Sequence, residues 1–438
     1  MRKTVVIGAG AMGLAAAHYA LKLGHDVEVL EADAVAGGMA AHFDFDGLSI
    51  ERFYHFVCKA DAPTFALMED LGIGSLMRWR PTSMAYFSRG RLHRWGDPIS
   101  LLATSLLGPV EKLRYGLQMF KTAKRTGFDD LESLTARQWI EGGSGCSVYQ
   151  KLWRRLMELK FYQYADEVSA AWIATRVRRV GNSRSSLFQE ELGYIEGGSE
   201  TLVNALVASI EAQGGKVHLG TPAERIETQD GRVTGVRAGD RVFAAEAVIS
   251  TVPTPHIARL APDLPEDSKA AYAAIRNIGA ICVVHKLAKP VTPHFWVNVA
   301  DPEIEMPGII EFSNLRPTPN PVVYIPYYMP TDHPKWSWTD EQLIEESFAA
   351  LRRINPALKP QDRLASRVGR LKHAQPLCEP GFAAKIPPVR TPIEGLLIAD
   401  TSFYYPEDRG VSESVRLARE MALAIGSDHE PRRGPTWT

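Results

Sequence analysis

The sequence predicts an α/β fold in which a Rossmann-like sheet is assembled from separated parts of the chain and an α+β region is interleaved with it. Three observations predict it. Residues 4–7 are an apolar run entering Gly8-Ala9-Gly10-Ala11-Met12-Gly13; a small-residue helical stretch over 11–23 follows, and a second apolar run over 26–30 ends at Glu31. Gly197-Gly198-Ser199 stands before another helical stretch and strand, and residues 395–400 form a last buried run that leads to a helix over 411–425. Strand, glycine turn, helix, strand and acid, in that order, make the Rossmann-like unit that holds the ADP half of a dinucleotide.

In that unit Gly8 permits the tight turn, Gly10 lets backbone approach a pyrophosphate, and Gly13 lets the helix pack on the strand. The helix start at Ala11 and Met12 offers free N–H groups and a positive dipole end to phosphate. Glu31, followed by Ala32, stands where a carboxylate accepts bonds from ribose hydroxyls. Arg2 and Lys3 before an apolar segment imitate a signal peptide, but three glycines break that segment. Gly37-Gly38-Met39 predicts a second close approach of backbone to the ligand.

A hairpin is expected over 43–47 and a helix over 62–71. Residues 98–180 read as mainly helical. Val110, Leu113, Leu117 and Phe120 share one side of segment 110–125, with Lys112, Arg114, Lys121, Lys124 and Arg125 alongside; segment 148–161 carries Leu152, Leu156 and Leu159. Ordinary packing of the helices over 101–125 and 148–161 is preferred to peripheral contact with a membrane. A helix over 200–213 leads to a strand at 216–219. Segments 223–228 and 233–237 flank Asp230-Gly231 as a hairpin, with a short extended piece over 242–244, and 247–251 is a buried strand ending at Val252-Pro253. Strands over 281–287, 308–312 and 322–328 and a helix over 340–354, capped by Thr339, complete the middle region. The tail from 427 is expected to be loose.

With 438 residues, 45% apolar and 23% charged, the chain has room for two domains of ordinary globular composition. A net charge of −1 gives no pull toward nucleic acid. Cys58, Cys146, Cys282 and Cys378 form no CxxC or zinc spacing, so neither disulfide framework nor metal is expected, and a cytoplasmic setting fits. No apolar run approaches the roughly 20 residues that span a bilayer.

On the motifs at 4–40, 194–252 and 395–425 the chain resembles the FAD-dependent amine oxidase superfamily, which includes protoporphyrinogen oxidases and phytoene desaturases. UDP-galactopyranose mutase is a more distant flavoprotein relative. The resemblance implies FAD, held by Gly8, Gly10, Ala11, Met12, Gly13, Glu31 and Ala32, and by the double glycine Gly37-Gly38, where Met39 replaces the family's Arg. Arg225-Ile226 resembles the strand whose backbone meets the adenine, and Thr251-Val252-Pro253 the strand end near the cofactor. Asp400 resembles the acid at the ribityl–pyrophosphate region, and Gly410-Val411-Ser412 the helix start aimed at the flavin ring. It also implies a discontinuous FAD-binding domain of residues 1–75, 194–260 and 390–426, and a substrate domain of residues 76–193 and 261–389.

A flavin is itself the hydride acceptor, so no nucleophile triad is required and none is legible. His55, within Glu51-Arg52-Phe53-Tyr54-His55-Phe56, is a candidate to polarise substrate or carry a proton, against a packed-loop histidine. Arg409 and Tyr405, with Tyr404, are candidates to clamp and wall a substrate, against an Asp408–Arg409 pair that only fixes the turn. Arg176, Arg178, Arg179 and Arg184 read first as a solvated face and second as an anion site. The run from Lys160 to Tyr164, with Trp296, Tyr327 and Tyr328, is read as core or as an apolar tunnel. The expected function is an FAD-dependent oxidoreductase that takes hydride from a C–N or C–C bond of a small, lipophilic or anionic molecule. The flavin is then reoxidised by oxygen, a quinone or a carrier. The alternative is a non-redox isomerase like the sugar mutases.

Overall fold

The structure, a computed structural model, describes residues 1–432. Residues 433–438, the end of the expected loose tail, lie outside the described residues. Before them, the carbonyls of Ser427 and His429 accept from Arg390 at 3.0 and 2.9 Å, and the His429 ring contacts Glu420 at 2.9 Å.

The three separated segments meet in one sheet of five parallel strands, ordered Lys216–His218, Asp26–Leu30, Lys3–Ile7, Ala247–Ser250 and Leu396–Ile398. Val5, Val6 and Ile7 are all buried, with no alternation, because helices pack on one face and the antiparallel sheet of Arg225–Gln229, Arg232–Ala238 and Arg241–Ala244 on the other. Helix Ala11–Lys22 buries Ala15, Ala16, Ala17 and Ala20 completely, so it lies close against helices Ser199–Ala212 and Val411–Ala424. Ile7 is paired with Ser250, and Ser250 with Ile398. The three strands therefore end together at one carboxyl edge, the edge where parallel sheets collect ligands.

The second sheet has seven mixed strands, ordered Arg363–Pro376, Asn277–Leu287, Val322–Met329, Gly308–Glu311, Trp296–Val299, Met84–Ser88 and Arg91–Trp95. Helix Asp340–Ile354 packs Leu343, Phe348 and Leu351 onto it, and Thr339 caps that helix by accepting from the Gln342 N–H. Met84–Ser88, Arg91–Trp95, Trp296–Val299 and Arg363–Pro376 were not expected. Arg363–Pro376 is an edge strand bearing Arg363, Arg367, Arg370 and Lys372, so no clean apolar alternation marks it. A smaller sheet, Met77–Thr82, Gln189–Ile195 and Arg184–Ser186, joins the two regions, and Met77–Thr82 hides its period behind Arg78 and Arg80.

The helical region is present, but one of its faces is reversed. In helix Pro109–Ala123, Val110, Leu113, Leu117 and Phe120 are 69%, 73%, 51% and 59% exposed, which corrects the expectation that they pack. The buried face is instead Tyr115, Gln118 and Thr122. It tolerates its polar atoms because the Gln118 amide donates to the Trp139 carbonyl at 2.9 Å and the Thr122 hydroxyl to the Gln118 carbonyl at 2.8 Å. In the neighbouring stretch Leu152 and Leu159 pack as expected, with Met157 and Phe161 buried beside them, whereas Leu156 is only half-buried.

Candidate functional site

A continuous cavity of about 1500 Å³ runs from the carboxyl edge of the parallel sheet into the space between the two sheets. Pockets for a single drug-sized ligand span about 300–1,000 Å³, so this one has room for a long ligand and a second molecule.

Its first part is backbone. Gly8, Gly10, Ala11, Met12, Glu31, Ala32, Gly37, Gly38 and Met39 line it. Gly37 and Gly38 adopt φ of +115° and +56°, and the Gly37 N–H donates to the Ala9 carbonyl at 2.8 Å, which lays the double glycine against the first turn. A Cβ on Gly10 would meet nothing within 4 Å and would project into the cavity; one on Gly13 would stand 1.8 Å from the Gly8 carbonyl oxygen. Gly13 thus closes the helix onto the strand and does not line the cavity. The Glu31 carboxylate accepts the N–H groups of Ala9 at 2.6 Å and Asp33 at 2.9 Å. Each oxygen keeps capacity for a further donor.

Two helix N-termini open on this space, Ala11–Lys22, with no acid in its first turn, and Val411–Ala424 through Gly410 and Val411. Both direct positive dipole ends at the same cavity. Thr251, Val252, Pro253 and Asp400 line the wall between them. Asp400 accepts the N–H of Thr254 at 2.7 Å and of Ser402 at 2.9 Å, joining two strand ends; burial raises its pKa. Ser412 is buried off the wall, and Ser414 lines it instead. Arg225 and Ile226 do not reach the cavity: Arg225 is exposed and paired with Asp263 at 3.1 Å, and Ile226 is packed inside its small sheet. Pro222 and Ala223, just upstream, line it in their place.

The inner part is aromatic and cationic. Tyr54, Phe56, Phe161, Trp296 and Tyr328 line it, with the Tyr54 and Trp296 rings edge-on at 5.9 Å. Arg409 donates to the Tyr328 hydroxyl at 2.9 Å and to the Ala374 carbonyl, so it has no pair with Asp408. The nitrogen of Lys160 stands 5.3 Å from the centre of the Tyr328 ring and 5.8 Å from that of Trp296. It makes no hydrogen bond or ion pair among the described residues. Burial first, then Arg176 and Arg409, against Asp408, lower its amine to about 7. His55 also lines the cavity; burial lowers its pKa, and Nδ1 has no hydrogen-bond partner. Tyr405 lies outside the wall. Its hydroxyl is held by Ser169 at 2.8 Å and Glu132 at 2.5 Å, which makes it part of the packing behind the loop. Tyr327 is likewise core, and Tyr162 and Tyr164 stay off the wall.

The arginine cluster is neither a solvated face nor an open anion site. Arg176 pairs with Asp408 at 3.4 Å and Arg178 with Glu407 at 3.1 Å, while Arg179 forks onto Asp61 at 3.0 and 2.7 Å. Arg184 donates to the Gly181 carbonyl at 3.0 Å. Helix Ala170–Gly181 therefore holds the loop before Val411–Ala424 from behind. Burial and Glu413 raise Glu407 to about 7 against the pull of Arg178. Residue spacing gave no signal for Lys160 beyond its place in an aromatic run, nor for His256 and His373, whose rings meet at 5.0 Å on the wall.

Residues 13–405 match the family described as flavin containing amine oxidoreductase. The chain is 23% identical, over 98% of its length and 78% of the relative's, to the 15-cis-phytoene desaturase of an Oncidium hybrid cultivar. Its fold is that of an oxidoreductase from Methanosarcina mazei (TM-score 0.74, 20% identity, 96% and 99% of the two chains). Cyclohexylamine oxidase from Brevibacterium oxydans shares it too (TM-score 0.71, 17% identity, 97% and 98%).

Proposed function

Because the chain belongs to the flavin-containing amine oxidoreductase family and is thereby a flavin-dependent oxidoreductase, we propose that it holds one FAD along the glycine-lined groove and desaturates a C–C bond of an apolar or anionic small molecule in the aromatic chamber. When bound, the flavin supplies the hydride acceptor. Glu31 and Ala32 would meet the ribose, Gly10 and Gly37-Gly38 the pyrophosphate, and Gly410 and Val411 the ring system.

The observation that carries the choice of substrate is the charge of the chamber. Arg176 and Arg409 stand with one carboxylate, Asp408, which is already paired with Arg176, so a positive charge is left over even while the Lys160 amine is neutral. A protonated amine would be repelled there, whereas a neutral polyene or a carboxylate would not. The aromatic walls exclude water and align the substrate, Arg409 fixes Tyr328, and Lys160 Nζ, near neutrality, receives the proton released with the second hydrogen. Electrons then leave to oxygen, a quinone or a carrier.

Anaerobic titration of the yellow protein with amines, porphyrinogens and polyprenoid polyenes tests this. Bleaching by an apolar or anionic compound, and restoration by an acceptor, are expected. Bleaching by amines alone would move the reaction to C–N bonds. No bleaching by any of them, with turnover only after chemical reduction, would return it to a non-redox rearrangement.

A further inference from the structure

We propose that the face around helix Pro109–Ala123 docks the protein on an anionic lipid bilayer, with the cavity opening into the lipid. On that helix Val110, Leu113, Leu117 and Phe120 recur at helical spacing and stand in solvent. Ile99 and Leu102 on the preceding helix Pro98–Ala103 are 62% and 72% exposed, and Leu187 and Phe188 at the tip of a turn are 63% and 50% exposed. So much apolar surface gathered from three neighbouring elements marks an interaction site.

The same elements form the cavity's outer rim. Pro98, Leu101, Phe120, Lys124 and Leu187 all line it. A second copy or a protein partner seated on this face would close that mouth, whereas fluid hydrocarbon would leave it in continuity with the apolar interior. Charge agrees. Residues 98–125 hold five cations and one carboxylate, Glu111, in a chain of net charge −1. Glu111 is taken by Lys151 at 2.7 Å, and among the described residues Lys112, Arg114, Lys121 and Lys124 have no carboxylate partner. An amphipathic helix of exposed apolar residues flanked by lysines suits an anionic surface. No helix of the described residues is long and apolar enough to cross a membrane, so the contact is peripheral. The substrate class of the proposed function, an apolar or anionic molecule, then gains a route of entry; this last point alone rests on that reading.

The test is co-sedimentation of the flavin-loaded protein with vesicles of phosphatidylcholine alone and with added phosphatidylglycerol, at low and high salt. It needs no turnover, so its outcome is independent of the reaction assigned. Binding to the anionic vesicles, weakened by salt and reduced roughly tenfold in Leu113→Glu/Leu117→Glu, is expected. Unchanged flavin absorbance in that variant shows that it is folded. No binding to either vesicle, or binding that the variant leaves intact, overturns the proposal. So does a dimer, seen by light scattering, that the variant abolishes while vesicles bind nothing.

Discussion

Gly10 and Gly13 stand in one turn yet do opposite things. Gly10 has φ −73°, open to any L-residue, and a side chain there would meet only the cavity. Gly10→Val is therefore expected to fold with an unchanged melting temperature as apoprotein and to lose flavin absorbance. Full absorbance would show that the pyrophosphate lies elsewhere. At Gly13 a Cβ collides with the Gly8 carbonyl, so Gly13→Ala should lower stability itself. Lys160 allows a second prediction. Its folded pKa, about 7, lies below its ordinary value of 10.5, so the unfolded chain binds more protons between those pH values and stability rises across that window. The cost of burying the ammonium is full below pH 7 and gone above about pH 10.5. Lys160→Met should thus raise the apoprotein's melting temperature most at pH 6 and leave it nearly unchanged at pH 10.5. A gain independent of pH would remove Lys160 from the group of buried, titrating cations. The glycines were legible because turn geometry demands them. The partners of Arg409 were not, because Ala374 and Tyr328 come from strands remote in sequence.

At the scale of elements, the segment between Leu396–Ile398 and Val411–Ala424 is fixed by helix Ala170–Gly181 through arginines. The Arg179–Asp61 pair adds the helix Ala62–Asp70 to that frame, and both partners are largely buried. Removing one member of such a pair strands the other charge. Asp61→Ala should cost about 3–5 kcal/mol in denaturant unfolding, and the double change Asp61→Ala/Arg179→Met should recover much of it. A cost below about 1 kcal/mol would put the pair in the class of surface salt bridges. A run of arginines on a helix is a statement about charge, and the sequence around it does not say whether carboxylates from residues 61, 407 and 408 will close on it. Helix Pro109–Ala123 teaches the same point from the apolar side. Its period was plain, but periodicity does not say which face is covered, and Gln118 and Thr122 hold the inner one.

For the whole molecule, the parallel sheet was legible because its strands are short, carry apolar runs and are punctuated by glycines, and because a right-handed crossover leaves few ways to order them. The seven-stranded sheet was half-legible. Asn277–Leu287 and Val322–Met329 are buried over most of their length and announce themselves, while Met84–Ser88 must find Trp296–Val299 across two hundred residues and pairs with it in parallel. The cavity belongs to both sheets at once, which is why the groove for the cofactor could be read from motifs while the chamber beside it could not. The central claim is that this groove holds FAD. The most direct measurement is the visible spectrum of the purified protein, after addition of FAD if needed, with chromatography of the cofactor released on heating. One FAD per chain is expected, and a colourless protein that takes up no added FAD would contradict it.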